Sequence, residues 1–101
     1  GAVVNILDSR ILKRAPSTPY EKSKAALRDC TAECAARYQG VLRVNAVAPG
    51  PVLAPVDVHE PAGATPFGRP TPGDVAAAVA FLLDARATSG CIIPVDGGQA
   101  V

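Results

Sequence analysis

The sequence predicts an α/β domain in which three strands and two helices alternate, β-α-β-α-β, around a parallel sheet. Short apolar runs rich in β-branched residues occur at 2–7, 41–47 and 91–95, nearly without alternation, which is the pattern of strands covered on both faces. Between them lie two longer stretches in which small and apolar residues return at helical spacing. Glycine and proline gather at Gly40, Pro49-Gly50 and Asp96-Gly97-Gly98, where these patterns break. Strands alternating with helices require crossover connections, and crossovers make parallel neighbours.

The run at 2–7 (Ala-Val-Val-Asn-Ile-Leu) reads as the first strand. Residues 8–19 are polar and carry Pro16 and Pro19, so they read as loop. The spacing then predicts a helix over 19–38. Ala25, Ala26, Cys30, Cys34 and Ala35 form its inward stripe, and Glu21, Lys22, Arg28, Asp29 and Arg37 take the other sides. Gly40, which tolerates positive φ, ends it. The second strand, 41–47, is stopped by Pro49-Gly50. Seven prolines between Pro49 and Pro72 make the following stretch a loop. Gly73-Asp74 opens a second helix with Val75, Val79, Leu82 and Leu83 on one side, ending near Arg86. The third strand, 91–95, is closed by Asp96-Gly97-Gly98.

Composition narrows the function. Of 101 residues 49% are hydrophobic and 19% charged, a globular balance. A formal charge of +1 with no basic block argues against nucleic acid as partner. The longest apolar run, 75–83, is about half of a membrane span. Three cysteines, an odd number, suit a reducing compartment, and none has neighbours to complete a metal set. Cys30 and Cys34 are expected in the helix core. The start, Gly-Ala-Val-Val-Asn, has no basic segment ahead of an apolar one, and the lack of any Met gives the expectation of a natural start upstream. The expectation is a soluble, cytoplasmic domain.

Ligands of open parallel sheets bind beyond the carboxyl ends of the strands, here 7–8, 47–50 and 95–98. Beside them, Tyr20 and Lys24 are four apart and share a helix face. An ammonium about 4 Å from a phenolate, at an effective dielectric of about 20, is worth roughly 4 kcal/mol. Such a pair makes tyrosine a usable proton donor near neutral pH. By spacing alone, an ordinary solvated helix turn is the better account of Tyr-x-x-x-Lys.

Larger segments decide between these readings. Val4-Asn5-Ile6-Leu7-Asp8, Tyr20-Glu21-Lys22-Ser23-Lys24-Ala25-Ala26-Leu27, Arg43-Val44-Asn45-Ala46-Val47-Ala48-Pro49-Gly50, Gly68-Arg69 followed by Asp74-Val75-Ala76, and Val95-Asp96-Gly97-Gly98 occur in this order. Together they resemble the short-chain dehydrogenase/reductase family over nearly the whole chain. The resemblance implies the C-terminal part of a Rossmann-type doubly wound sheet. It implies Tyr20 as general acid/base, with Lys24 binding the nicotinamide ribose and assisting Tyr20. It also implies that Pro49, Gly50 and Val52 lie along the nicotinamide, and that Asp8, Ser9 and Pro51 meet the substrate. Ala54 stands where many members carry a threonine near the cofactor phosphates.

Most of the family has serine at the position of Asp8. Aspartate there resembles the pteridine reductase and dihydromonapterin reductase-like branch, and implies NADPH, with NAD left open. A carboxylate only accepts hydrogen bonds, so it suits a basic nitrogen heterocycle better than a ketone, relaying a proton with Tyr20. A turn residue paired with Arg10 or Arg14 is the plainer account of Asp8. Ser9, one residue later, keeps a carbonyl reductase of the 3-oxoacyl-carrier-protein type open, and a non-catalytic interaction module is the third possibility. His59 beside Glu60 reads as a solvated loop residue, Arg69 as an ion pair or cap, and Asp96-Gly97-Gly98 as support for tight turns. No Gly-x-x-x-Gly-x-Gly turn precedes a helix here. The expectation is therefore a C-terminal catalytic half (1–101), without the N-terminal cofactor-binding half and inactive alone, from a homo-oligomeric enzyme acting on a small molecule. Its first strand is expected to show an unpaired apolar edge.

Overall fold

A computed structural model of the chain describes residues 1–52 and 65–99. Strands β1 (Ala2–Ile6), β2 (Arg43–Pro49) and β3 (Ile92–Val95) form one sheet in that order, with helices α1 (Pro19–Arg37) and α2 (Pro72–Asp84) between them. Both pairings are parallel. Ile6 lies opposite Val47, and Pro49 lies opposite Val95. The ladder continues past the strand ends, where Leu7 N–H donates to the Val47 carbonyl (2.7 Å) and Gly50 N–H to that of Val95 (2.9 Å). Segments 7–9, 50–52 and 96–99 therefore leave the sheet along one margin.

β2 is the central strand, and Val44 to Ala48 are all buried, as an apolar run without alternation demands. On one face Ala46 and Ala48 pack with Leu7, Ile11 and Ala25, and Leu27 and Ile92 close in around them. The opposite face carries Arg43, whose guanidinium caps α2 by donating to the carbonyls of Leu82 (2.9 Å), Ala85 (2.7 Å) and Leu83 (2.8 Å). Those carbonyls end a helix and have no partner within it. Asn45 is wholly buried and accepts from Cys91 N–H (2.9 Å) while donating to the Thr88 carbonyl (2.9 Å), so it moulds the turn into β3.

Both helices start on the same chemistry. Thr18-Pro19 opens α1, where the Thr18 hydroxyl accepts from Glu21 N–H (3.1 Å). Thr71-Pro72 opens α2, where Thr71 and Asp74 cap each other (3.1 and 2.8 Å). Threonine fills the otherwise unpaired N–H groups, and proline at the first position has no N–H to lose.

Several boundaries and faces differ from the sequence expectations. The second strand begins at Arg43 because Val41 and Leu42 still donate to the Tyr38 carbonyl, unwinding the end of α1 around Gly40 (φ 79°). Segment 8–19 is not all loop: Ser9–Leu12 form a 3₁₀ turn that Asp8 caps, burying Ser9 and Ile11. On α1 the inward face holds Ala25 with Glu21 and Thr31, whereas Ala26 and Cys30 face outward. Polar residues can occupy that face because each is satisfied there. Thr31 Oγ1 donates to the Leu27 carbonyl (2.8 Å) and accepts from Asn5 Nδ2 (2.9 Å). Cys30 is thus no core residue, although its sulfur lies 3.8 Å from that of Cys34. β1 is an edge strand among the described residues, and its Val3 and Ile6 are largely exposed rather than covered on both faces. The expectations for Ala54, His59 and Glu60 lie outside the described residues.

Replacing Asn45 by alanine removes the partner of the Cys91 N–H and of the Thr88 carbonyl in a partly buried setting, at a cost of about 1–3 kcal/mol. Denaturant unfolding is expected to show a lower midpoint with an unchanged slope.

Candidate active site

Where the three strands end, a cavity of about 450 Å³ is lined by Asp8, Ser9, Arg10, Lys13, Arg14, Gly50, Pro51 and Gln99. A larger hollow of about 590 Å³ lies at the other end of the sheet, around Gly1, Leu42, Arg43 and residues 86–89. The first is the functional candidate, because parallel sheets bind at the carboxyl ends of their strands and because the predicted residues meet there.

Asp8 follows β1 and caps the 3₁₀ turn. Its carboxylate accepts from the Arg10 backbone N–H (2.9 Å) and from the Arg10 fork, Nε (3.0 Å) and Nη2 (2.7 Å). Partial burial pushes the Asp8 carboxyl upward, but the Arg10 hydrogen bonds and charge, with Lys24 behind them, outweigh this and hold it below its ordinary value. Asp8 is therefore a fixed anion. The pairing with Arg10 was one of two options open in the sequence; Arg14 goes elsewhere.

Tyr20 stands in the first turn of α1 and is 53% exposed. The Lys24 ammonium lies over its ring, 5.6 Å from the centroid, and donates to the Ile6 carbonyl at the end of β1 (2.9 Å). The Arg10 guanidinium approaches the same ring, also at 5.6 Å. Tyr20 and Lys24 are outside the cavity wall and border it through Arg10 and Asp8. Lys24 thus reaches a backbone carbonyl and the face of the ring, a different arrangement from the simple ammonium–phenol pair expected from spacing.

Ser9 is 1% exposed, and its hydroxyl finds no hydrogen-bond partner among the described residues although Ser9 lines the cavity. A buried hydroxyl left open is costly unless something else satisfies it. Gly50 and Pro51 form the opposite wall, with Pro49 ending β2 and Val52 half-buried beyond them. A side chain on Gly50 would meet Asp96 at 2.8 Å, so the close approach that requires glycine there is to Asp96. Asp96 is buried and accepts from Gly98 N–H (3.0 Å). Gly97, at φ 65°, brings the turn against Gly68, where any Cβ would collide with the Gly68 carbonyl. Asp96-Gly97-Gly98 thus supports the turn, as expected. Arg69 bonds the Pro51 carbonyl (2.8 Å), tying the segment before α2 to the cavity wall.

The sequence reading offered Arg10 and Arg14 only as plain ion-pair partners of Asp8, and it missed Glu21. Glu21 is 2% exposed yet charged, and accepts from Ser17 N–H (3.1 Å), the Ser17 hydroxyl (3.2 Å) and the Arg14 fork (3.3 and 2.9 Å), with Arg10 at 3.7 Å. The Ser17 N–H foremost, against burial and helped by the Ser17 hydroxyl, Arg14 and Arg10, holds its carboxyl below the usual value. The spacing Thr18-Pro19-x-Glu21 was the available signal, since an acid three residues after a threonine marks a helix start. No metal-ligating cluster occurs among the described residues, and no helix is long and apolar enough to cross a membrane.

A family model described as enoyl-(acyl carrier protein) reductase matches residues 1–100. The chain belongs to the short-chain dehydrogenase/reductase family. Cis-4-hydroxycyclohexanecarboxylate dehydrogenase of Sinomonas cyclohexanicum is 41% identical over 97% of this chain and 44% of its own length. The structure of FolM alternative dihydrofolate reductase 1 from Brucella suis, in complex with NADP, superposes with a TM-score of 0.86 at 34% identity, over 99% of this chain and 42% of that one. A putative betaketoacyl-ACP reductase superposes at 0.80 with 35% identity, over 100% of this chain and 48% of that one. The chain thus spans less than half the length of these relatives. Family and fold agree with the motifs read from the sequence.

Two of the buried or half-buried carboxylates, Asp8 and Glu21, are held below their ordinary values of 3.8 and 4.5. Each adds stability above its ordinary value and loses it as pH falls through the depressed one. The melting temperature is expected to hold above pH 4.5 and to fall below it, and Glu21→Gln is expected to flatten that fall. An equally steep acid limb in the variant would show that Glu21 is not responsible.

Proposed function

We propose that this chain supplies the catalytic part of an NAD(P)H-dependent short-chain reductase that reduces a pterin-like C=N bond. The observation that carries this reading is an anionic Asp8 beside Tyr20 and Lys24 at the margin of the 450 Å³ cavity. The NADP-complexed FolM structures from two Brucella species, at 34% and 36% identity, support it.

NADPH, when bound, supplies the hydride. The residues fit such a cofactor: the Lys24 ammonium spends one donor on Ile6 and keeps others for a ribose, while Pro49, Gly50, Pro51 and Val52 offer a backbone ledge beside the open Ser9 hydroxyl. Reduction of C=N consumes one hydride and one proton. Tyr20 gives the proton to the ring nitrogen, and Lys24 and Arg10, both close to its ring, stabilise the phenolate left behind. Asp8, held ionised by Arg10, accepts from the amino and ring N–H groups of a pterin and orients them. Its part in proton relay is that of an acceptor, not of the first donor. The proposed enzyme is soluble, cytoplasmic and homo-oligomeric, and acts on a small molecule.

Ser9 favours a second reading, reduction of a carbonyl, because its hydroxyl is buried, unpartnered among the described residues and on the cavity wall. In the full-length gene product, Tyr20→Phe is expected to lower turnover about 10²-fold or more while NADPH still raises the melting temperature, a stabilisation of about 2.7 kcal/mol at 100 times its dissociation constant. Asp8→Ser is expected to lower dihydropterin reduction about 10²-fold, leaving a measurable remainder. If it spares that reaction, or if only a 3-ketoacyl substrate is turned over, the carbonyl reading replaces the pterin one.

A further inference from the structure

We propose that Arg10 is a positioning residue of this site, a clamp that locks the Asp8 carboxylate to the helix carrying Tyr20 and Lys24; the proposal rests on the reductase reading above. A single guanidinium makes three kinds of contact. Its Nε and Nη2 form a fork on Asp8 at 3.0 and 2.7 Å, its Nη1 lies 3.7 Å from Glu21 Oε2, and its carbon sits 5.6 Å from the centre of the Tyr20 ring. Its backbone N–H adds a third bond to Asp8. A planar guanidinium with donors on several edges can serve a carboxylate on one side and another partner on the next without turning, which a lysine ammonium on a flexible stem does not do.

The anchor is the strongest part of the arrangement. Glu21 is nearly closed off from solvent and gripped by Ser17 and Arg14 as well. It follows Tyr20 in the chain and sits in the first turn of α1, so whatever is tied to Glu21 is tied to the base of the Tyr20 side chain. Asp8 belongs to another element, the cap of the 3₁₀ turn after β1. Ile11 and Ala25 share one apolar cluster, Arg28 donates to the Ile11 carbonyl (3.4 Å) and Lys24 to that of Ile6 (2.9 Å), but among the described residues it is Arg10 whose guanidinium spans from the Asp8 carboxylate to Glu21. The charged groups that share the cavity wall with Asp8 are Arg10, Lys13 and Arg14, and Lys24 acts on it from α1; Tyr20 and Glu21 of α1 meet Arg10, Asp96 lies behind Gly50, and Gly50, Pro51 and Gln99 carry no charge. Among these, only Arg10 has its guanidinium bonded to the Asp8 oxygens. Removing it frees the carboxylate to rotate and to gain a proton more easily, and leaves Tyr20 with one adjacent cation where it had two.

The test is a double-mutant cycle in the full-length gene product with Arg10→Gln, Arg10→Lys and Asp8→Asn, assayed with a dihydropterin and NADPH. If Arg10 acts through Asp8, R10Q lowers kcat/KM about tenfold or more alone but about twofold or less in the D8N background. R10Q also moves the acid limb of the pH profile to higher pH, and R10K, which keeps the charge without the fork, recovers only part of the loss. An equal loss in both backgrounds, or an unmoved acid limb, overturns the proposal. A ¹³C titration of the Asp8 carboxyl needs no substrate. It should move up in R10Q toward the ordinary 3.8, and less in R10K. An unmoved titration overturns the clamp even if no substrate is found. A wild-type protein that reduces nothing while this titration shifts as expected overturns the reductase reading alone.

Discussion

The parallel pairing of β2 with both neighbours is the constraint on which the site depends. Because Ile6 meets Val47 and Pro49 meets Val95, the three strands run out at one margin and their polar successors, Asp8-Ser9, Gly50-Pro51 and Asp96 to Gln99, are delivered together. Parallel strands cannot be joined by tight turns, so each return requires a helix. The first of these returns places Tyr20 and Lys24 beside the same margin, because α1 starts where the strand-end loop finishes. A shift of one residue in the β1–β2 register would turn Asn5 and Leu7 away from α1 and break the Asn5–Thr31 bond together with the Leu7–Ala48 packing.

Much of this interior is polar and bonded. α1 meets the sheet through Ala25 but also through Glu21 and Thr31, and β2 buries Asn45. Each of these has partners that close its hydrogen-bonding needs. An unpartnered group in the same surroundings would cost more than its bond is worth. Apolar packing sets which faces meet, while these bonds set how they are aligned. Among the described residues the Ser9 hydroxyl is the buried side-chain polar atom without a partner, and Ser9 lies in the cavity wall.

Electrostatics at the margin follows from the same economy of partners. Three basic side chains line the cavity with one acid, yet Arg10 and Arg14 are tied to Asp8 and Glu21. The result is a set of fixed charges around Tyr20 in place of mobile ones. In the proposed reaction, preorganised charge of this kind would stabilise a developing phenolate without reorganising at the moment of proton transfer.

Strand and helix periods, the proline and glycine stops, and the family motifs were legible in the residues themselves, because they depend on local geometry and on neighbours a few residues away. That Asp8 follows the first strand into the strand-end cavity, and that Tyr20 and Lys24 share a helix face, was legible for the same reason. What the sequence by itself could not determine was which way the inward face of α1 turns. Apolar periodicity pointed to Ala26 and Cys30, but the buried bonds of Glu21 and Thr31 rotated the choice, and such bonds join residues as far apart as Asn5 and Thr31. The roles of Arg10 and Glu21 were likewise decided only in three dimensions. A charged residue reads as solvent-facing in a linear chain, and its partner becomes known only when the fold brings the counter-charge within hydrogen-bonding reach, as Arg10 meets Asp8.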